Sequence, residues 1–444
     1  MPEESGLGRG VGVVWGGTTD ASQRRRYAGK ADDRDGHATV WEIRLGGWKP
    51  PPRFWDLGFA EWTGLGEDAA MRVLIACDKF KGSLSAVEAC EAVREGLRAG
   101  GVDGVIELCP IADGGEGFAE GLVGALGGEW VECVVSDALG RKVTARYGVC
   151  RVEEDDVAVM EMAEAAGMWR LAPGERKVMK ATTAGVGQMI RHATKVRNVD
   201  RILLGLGGSA TNDGGVGMAV ALGIAFRDRR GWELEPVPEE MVEVAQIGEA
   251  GRIGLPRIEV ACDVENPLLG PNGATAVYGA QKGAGPEEQE RLEQFLTALV
   301  KTTDAAEIAE RPGAGAAGGM GFGLLRFAGA ELRSGFEMVA EILDLEERMR
   351  GVDVVVTGEG SLDAQSLSGK GPVGVARMAR EAGAMVVGIA GQVSPEVRES
   401  GLFDELGSLE NFGLPREESM ARGAELLRKT GEHLAGLLRE RVAG

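Results

Sequence analysis

Histidine is scarce in this sequence of 444 residues, and cysteine shows no paired spacing. The three histidines, His37, His192 and His433, stand far apart in the chain, which argues against His-centred hydrolase and zinc chemistry. The six cysteines form no CxxC pair and are typical of small apolar residues in a reducing cytoplasm. We therefore expect a mechanism based on carboxylates or lysines.

Long apolar runs and a secretory signal are also missing. No stretch reaches transmembrane length, and the chain opens with the acidic Glu3 and Glu4. A formal net charge of −20 argues against nucleic acid or an anionic membrane as the main partner. We expect a cytoplasmic protein that binds small molecules, and the sequence leaves monomer and homodimer both open.

The usual phosphate-binding signatures are absent too. The pair Gly369-Lys370 is followed by glycine and lacks the glycine five positions before it, so it is not a GxxxxGK[ST] loop. The Gly-rich loop, HRD and DFG set of protein kinases is missing. If the chain transfers phosphate, it uses an unrelated cradle.

Glycine is abundant, with 71 residues in many short clusters, whereas proline numbers 16. The chain is longer than one hydrophobic core usually organises, so two domains are expected. Residues 1–70 differ from the rest, because they hold five of the eight tryptophans and show no sustained period. We predict that they are disordered or follow a misassigned start codon upstream of Met71; a small extra domain is the alternative.

From Met71 onward, a repeated order of strand, glycine loop and helix predicts an α/β fold with a largely parallel sheet. Residues 73–76 form a predicted buried strand, and Ser85 with Glu88 forms a predicted capping box for the next helix. Residues 78–83 therefore lie in a strand-to-helix loop, where open α/β sheets bind ligands. Further strands are predicted at residues 201–204, 258–262 and 354–356.

The strongest motif is the glycine loop at residues 205–217, after a predicted strand and before a helical stretch that runs toward Phe226. Its backbone amides can cradle phosphate. The first six residues also satisfy a permissive dinucleotide fingerprint, with Asp228 about 20 residues on. That fingerprint leaves unexplained a polar insert of Ser209, Thr211, Asn212 and Asp213.

Three acidic loops accompany it. Residues 110–117 place Asp113 and a second acid among glycines, which suits a ligand or Mg²⁺ but also an ordinary exposed turn. Residues 357–363 carry two acids and lead to Lys370, as phosphoryl transfer requires, although a helix N-cap is the alternative. In residues 262–270, Asp263 follows a strand directly.

In their order along the chain, these segments resemble the motifs of the bacterial-type glycerate kinase family (glycerate kinase type 1). The resemblance spans roughly residues 71–393, and its segments are 78–86, 112–117, 207–217, 262–270, 281–284 and 357–363. It implies a Rossmann-like α/β domain with a parallel sheet and a smaller mixed α/β domain, with ATP, D-glycerate and Mg²⁺ meeting in the cleft between them. The implied domains are residues 71–131 with 286–444, and residues 132–285.

We assign site roles on that basis. An acid orients or deprotonates the glycerate hydroxyl, with Asp213 favoured over Asp263 and Asp113, while Lys81, Lys282 or Lys370 neutralises the transferring phosphate. Arg141 either clamps the glycerate carboxylate or forms a surface ion pair. The remaining substrate-binding candidates are Asp78, Ser83, Ser209, Thr211 and Asn212. The nucleotide-binding candidates are Gly207, Gly208, Gly214, Gly215, Glu359, Asp363 and Lys370, and Mg²⁺ is assigned to Asp113 and Glu359.

The resemblance favours 2-phosphoglycerate over 3-phosphoglycerate as the product. Two other functions stay open. An NAD(P)-dependent oxidoreductase acting on a small hydroxy acid would use residues 205–210 for nicotinamide dinucleotide. A non-catalytic sensor of sugar acids or nucleotides would bind a ligand without turnover.

Overall fold

The computed structural model describes residues 71–112, 114–364, 366–368 and 371–442. The predictions for residues 1–70, Asp113 and Lys370 therefore lie outside the described residues. Thirteen strands occur in the described part, in three sheets. In chain order the strands are β1 (Arg72–Cys77), β2 (Val105–Leu108), β3 (Glu129–Ser136), β4 (Lys142–Val152), β5 (Asp155–Glu161), β6 (Arg201–Gly205), β7 (Ala225–Arg227), β8 (Gln246–Gly248), β9 (Arg257–Ala261), β10 (Glu331–Arg333), β11 (Val354–Leu362), β12 (Met385–Val393) and β13 (Glu405–Ser408).

Helices connect these strands and cover the sheets. The α-helices of the described residues are α1 (Ala86–Ala99), α2 (Phe118–Leu126), α3 (Ala163–Ala166), α4 (Ala184–His192), α5 (Val216–Ala221), α6 (Pro238–Met241), α7 (Ala274–Tyr278), α8 (Pro286–Thr303), α9 (Ala306–Ala309), α10 (Ala316–Gly323), α11 (Gly335–Ile342), α12 (Leu345–Arg348), α13 (Gly371–Glu381), α14 (Pro395–Glu399), α15 (Arg416–Ala421) and α16 (Gly423–Val442). No helix in this list has both the length and the apolarity that a membrane crossing requires.

The first sheet is entirely parallel, with strand order β13-β12-β11-β1-β2. The chain moves from β1 to β2 in one direction, whereas β11, β12 and β13 follow one another in the opposite direction. The strand order therefore reverses between β1 and β11. In open α/β sheets the crevice beyond the carboxyl ends of two such strands is where ligands bind.

The second sheet is mixed, with strand order β10-β9-β6-β5-β4-β3. Strands β10, β9, β6 and β5 are parallel, and β4 and β3 continue the sheet as an antiparallel pair. Strands β7 and β8 form a small hairpin of their own. One parallel and one mixed sheet, each connected by helices, confirm the predicted α/β fold class.

Local sequence explains where the main helices form. Ser85 and Glu88 form the predicted capping box, because the Ser85 hydroxyl accepts from the Glu88 amide at 3.3 Å and the Glu88 carboxylate accepts from the Ser85 amide at 2.9 Å. The apolar stripe of α8 is buried, with Phe295 and Leu296 in the core of the second sheet. Both features follow from the sequence pattern.

Apolar residues collect into three main cores. One lies around the second sheet, and another packs α1 and α16 against the outer face of the first sheet. The third contains residues of both sheets, including Leu74 of β1, Val159 of β5 and Leu203 of β6, together with Phe118 of α2. The two sheets therefore share one continuous core.

Two element boundaries differ from the sequence prediction, and the extent of the second sheet bears on the predicted domain division. Strand β11 continues through the predicted loop at residue 357, because it pairs with β12 as far as Leu362. Helix α5 ends at Ala221, and Gly223, at a φ of 96°, turns the chain into β7, so Phe226 lies in a strand. The sequence predicts that the chain returns to the first domain at residue 286. In the structure, α8 packs in the core around the second sheet, and β10 pairs with β9 of that sheet. The domain division remains a prediction, and the sheets favour a return near residue 335.

Candidate active site

A cleft of about 880 Å³ opens at the point where the strand order of the first sheet reverses. Its walls come from the loop after β1, the ends of β11 and β12, the segment after β13 and two glycine loops near residues 115 and 207. Such a volume lies within the roughly 300–1,000 Å³ typical of small-molecule sites. Five predicted site residues besides Lys81 line it: Asp78, Ser83, Gly207, Gly208 and Glu359.

Asp78 lies directly beyond the end of β1 and is 4% exposed although it lines the cleft. Its carboxylate accepts a hydrogen bond from the Lys79 amide at 2.6 Å and lies 3.7 Å from the Lys79 ammonium. Lys81 projects into the same cleft three residues after Asp78. A carboxylate and two cations therefore meet at the carboxyl end of one strand.

Glu359 stands on the neighbouring strand, since Gly358 is in register with Cys77. Its carboxylate accepts a hydrogen bond from the Ser366 hydroxyl at 2.9 Å. Asp363 does not line the cleft; its carboxylate accepts from the Ser366 amide at 3.3 Å. Asp363 thus shapes the loop that holds Glu359, while Glu359 itself faces the cleft.

The two glycine loops touch through their backbones. A Cβ on Gly207 would lie 2.9 Å from the Glu116 amide nitrogen, closer than real side chains approach. A Cβ on Gly360 would lie 3.2 Å from the amide nitrogen of Lys81. Glycine is required at position 207, because there the loops from the two sheets approach each other closely. In the predicted phosphate-binding loop, Gly207 therefore also permits the close packing of the two loops.

Asp213 does not line the cleft and is fully buried. Its carboxylate accepts from the Thr183 amide and hydroxyl at 2.7 and 2.8 Å, and from the amides of Gly215 and Gly217 at 3.1 and 3.2 Å. Burial raises its pKa, and these four donors act in the opposite direction. Since the carboxylate already caps the start of α5, those amides are engaged by Asp213 and not directed at a phosphate.

Lys282 is buried in the same region. Its ammonium donates to the Thr211 carbonyl oxygen at 2.7 Å, and burial lowers its pKa to about 7, while nearby Asp213 acts to raise it. The Asn212 amide donates to the Thr275 hydroxyl at 3.0 Å. We call Thr211, Asn212, Asp213, Thr275 and Lys282 the buried polar cluster. None of the five lines the 880 Å³ cleft.

The remaining predicted residues have packing or anchoring contacts. Ser209 is buried and pairs with Gly167 in a short bridge. Gly214 and Gly215 have φ values of 59° and 74° and lie against the side chain of Leu299 and the backbone of Gly323. The structure therefore places these glycines in the core around α5 and not at the cleft.

Asp263 and Arg141 also lie away from the lining of the cleft. The Asp263 carboxylate accepts from the Gly335 amide at 3.0 Å and so anchors the start of α11. The Arg141 guanidinium donates to Asp137 at 2.6 Å and to Glu175 at 2.8 Å. Of the two interpretations given for Arg141, these contacts match the ion pair.

Sequence reasoning did not assign three charged residues that the structure brings to this region. Lys79 adjoins Asp78, and Glu116 lines the cleft and two smaller cavities beside it. Glu161 ends β5, and its carboxylate accepts from the Ala119 amide at 2.9 Å; burial raises its pKa. Lys79 and Glu116 lie in loops that the sequence already indicates as ligand sites, and Glu161 is the last residue of a strand. Position at or after a strand end is therefore the sequence feature that could have identified all three.

Comparisons with known proteins identify the family of this chain. A model of the glycerate kinase family matches residues 73–439. A glycerate kinase of Bacillus subtilis (strain 168) is 38% identical over 378 residues, covering 83% of this chain and 98% of that protein. The glycerate 2-kinase of Escherichia coli (strain K12) is 40% identical over 334 residues, covering 74% and 87%.

A solved structure gives the same result. A Salmonella typhimurium LT2 crystal structure, assigned as glycerate kinase 2, aligns with a TM-score of 0.74 at 38% identity and covers 84% of this chain and 100% of that one. The comparisons do not support the oxidoreductase alternative. Since the family model spans most of the chain and relatives align over nearly their full length, the chain belongs to the glycerate kinase family.

Proposed function

We propose that this protein transfers the γ-phosphoryl group of ATP to the 2-hydroxyl of D-glycerate, giving 2-phosphoglycerate and ADP. The observation that carries the proposal is the cleft at the reversal of strand order, where Asp78, Glu359, Lys79 and Lys81 converge on one opening. Phosphoryl transfer depends mainly on positioning and on compensating charge, and these four side chains provide both.

Asp78 is proposed as the group that accepts the proton of the glycerate hydroxyl. Its carboxylate lines the cleft, whereas Asp213 is enclosed by four donors and Asp263 anchors a helix. A general base must reach the proton that it removes, so access decides between these acids. This assignment replaces the sequence-based preference for Asp213.

Lys79 and Lys81 are proposed to neutralise the phosphates. Both line the cleft and follow Asp78 in the loop after β1. Gly207 and Gly208 also line the cleft, so a phosphate bound there could contact both the cations and the glycine loop. Lys282 is too enclosed for this role in the described structure, since its ammonium is bonded to the Thr211 carbonyl.

Magnesium fits this site only as a companion of the nucleotide. Within the described ranges, no three His, Cys, Asp or Glu side chains are grouped to hold a metal ion. Mg²⁺ commonly takes one or two protein carboxylates and completes its shell with phosphate oxygens and water. Glu359 lines the cleft and would supply such a carboxylate. When bound, the ion would neutralise charge on the phosphates.

The phosphorylated position and the cellular compartment are also part of what we propose. The E. coli relative is named glycerate 2-kinase, which supports the 2-position over the 3-position as the acceptor. The absence of paired cysteines supports a reducing cytoplasm as the place of action.

The experiment is ADP release by the full chain with Mg-ATP and D-glycerate, with the product identified by phosphorus NMR. Glycerate-dependent ADP with 2-phosphoglycerate is the expected result. The 3-phosphate as the product would keep the kinase and reject the position. Ligand binding without turnover by folded protein would favour the sensor, and reduction or oxidation of a nicotinamide cofactor would favour the oxidoreductase.

A further inference from the structure

Four apolar residues that were not predicted as site residues also line the cleft. Phe80, Leu409, Leu414 and Met420 line it, and we call these four residues the apolar wall. Phe80 and Leu409 are buried, whereas Leu414 and Met420 are partly exposed. An apolar wall contributes little to the binding of a small hydroxy acid, which is polar on all sides.

The apolar wall is attached to the loop that carries the cations. The Ser83 hydroxyl donates to the Met420 carbonyl oxygen at 2.5 Å. A Cβ on Gly82 would lie 2.9 Å from the terminal methyl group of Met420, so the two are in direct contact. Lys81 precedes Gly82 and lines the same cleft. A ligand with an apolar end and an anionic end can therefore contact Met420 and Lys81 together.

A carboxylate stands at the edge of the apolar wall. Glu410 lines the cleft, and its two oxygens accept from the Gln392 amide at 3.2 Å and from the Ser408 hydroxyl at 3.4 Å. These bonds orient the carboxylate, and an ionised carboxylate has acceptor positions beyond two. A group that donates a hydrogen bond is the partner that Glu410 can accept at this edge of the cleft.

Size and charge indicate which substrate this end of the cleft binds. The cleft volume of about 880 Å³ suits a drug-sized ligand and exceeds the need of a small acid. A glycerate carboxylate beside Glu410 would meet a like charge, which disfavours binding. A planar base that is apolar on its faces and carries an amine at its edge meets neither objection.

We propose that the apolar wall binds the adenine of ATP and that the Glu410 carboxylate accepts a hydrogen bond from the exocyclic amine of the base. This inference rests on the proposed function, because it assigns one end of the same cleft. It moves base recognition to Leu409, Glu410, Leu414 and Met420, outside the glycine loop. Lys79 and Lys81 then face the phosphate end.

Glu410 would make the site selective among purine nucleotides. Inosine triphosphate has an oxo group where ATP has the amine, and a carboxylate facing that oxygen would leave two acceptors opposed. A glutamine at position 410 can donate through its amide nitrogen and so accepts either base. The Glu410→Gln variant is therefore expected to lower the preference for ATP over ITP about tenfold or more.

The experiment compares full-length variants by calorimetric binding of Mg-ATP and by steady-state kinetics. Leu414→Asn is expected to raise the Kd and KM for ATP about tenfold, since it places an amide against the base, and to leave the KM for glycerate within about twofold. Leu414→Met retains an apolar side chain and should restore the wild-type Kd. Inorganic tripolyphosphate, which lacks a base, should inhibit wild type and Leu414→Asn equally.

Val134→Asn is the matched control, because Val134 is 71% exposed on β3 and does not line the cleft. Glu410 is exposed, so Glu410→Gln keeps the test open if Leu414→Asn fails to fold. A Kd for ATP within twofold of wild type in Leu414→Asn, or an unchanged ATP-to-ITP preference in Glu410→Gln, would overturn the inference. So would a wild-type chain that does not bind Mg-ATP.

Each of the two proposals can be rejected while the other is kept. If wild type binds Mg-ATP and the variants weaken that binding, but no glycerate-dependent ADP is formed, the base site holds and the proposed function is rejected. If wild type phosphorylates glycerate and the variants bind ATP normally, the function holds and the base site is rejected.

Discussion

The glycine loop after β6 has two halves with opposite environments. Gly207 and Gly208 line the cleft, and Gly207 contacts the loop at residue 115, whereas residues 211–215 are buried around α5. Both halves carry the glycines and polar residues that indicate a ligand site in sequence. The buried half shows that this pattern also arises inside a core, where Asp213 accepts from four donors while the Thr211 hydroxyl and the Asn212 carbonyl oxygen have no hydrogen-bond partner among the described residues. Access to the cleft, and not residue type, separates Asp78 from Asp213.

The largest expected effect comes from removing the carboxylate at the cleft. Asp78→Asn should lower kcat about 10³-fold, in the range typical of a lost general base, while the melting temperature falls by only about a few degrees, since asparagine retains an oxygen that can accept from the Lys79 amide. Steady-state ADP release and thermal melting measure the two quantities. Asp103→Asn, at an exposed position between α1 and β2, is the matched control. A kcat within threefold of wild type would remove Asp78 from the chemistry and return the question to the other acids.

Inside the core, the same substitution should change stability instead. Asp213→Asn turns an amide toward four donors, so the free energy of unfolding should fall by about 3 kcal/mol while kcat of the folded protein stays within about threefold. Urea unfolding measures the first quantity. Asp344→Asn is a suitable control, because Asp344 is exposed at a φ of 51° that asparagine tolerates. A large loss of kcat at unchanged stability would contradict the comparison.

Lys282 provides a pH test of the buried half. Burial lowers its pKa from 10.5 to about 7, so between these values the folded chain binds fewer protons than the unfolded chain. Stability contributed by this group therefore rises with pH above 7, by about 2 kcal/mol between pH 7 and 9. Lys282→Met should lack this rise. Urea unfolding at pH 7, 8 and 9 compares the two chains, and parallel pH profiles would show that Lys282 titrates normally.

The smallest effect is expected at Arg141, which lies outside both halves of the glycine loop. Arg141→Ala should leave the KM for glycerate within twofold, since Arg141 pairs with Asp137 and Glu175 away from the lining of the cleft. Kinetics at varied glycerate concentration measure it. A tenfold rise in KM would reinstate Arg141 as the carboxylate clamp.

Much of the fold could be predicted from sequence, because local patterns determine it. The strand at residues 73–76, the Ser85 capping box and the buried stripe of α8 all appear in the structure. The predicted return to the first domain at residue 286 remains a prediction, and the second sheet extends beyond that residue to β10. The pairing of β10 with β9 joins residues about 70 apart in the chain, and no local pattern carries that information.

The sequence predicted which loops form the candidate site, but not which of their residues are buried. Strand-end position indicated Asp78, Lys81 and Glu359, and all three line the cleft. Thr211, Asn212 and Lys282 belong to equally polar motifs, yet tertiary packing buries them. Burial depends on the helices that close over a loop, and for Thr211 and Asn212 the helices α8 and α10 come about 70–110 residues later in the chain.

The core shared by the two sheets determines how the molecule can be dissected. Leu74 and Ala76 of β1 pack in the same cluster as Val159 of β5 and Leu203 of β6. A fragment ending at residue 128 would lose that apolar partner surface, and so would the complementary fragment. Neither piece is then a self-sufficient folding unit, so residues 71–442 are expected to unfold in one cooperative transition.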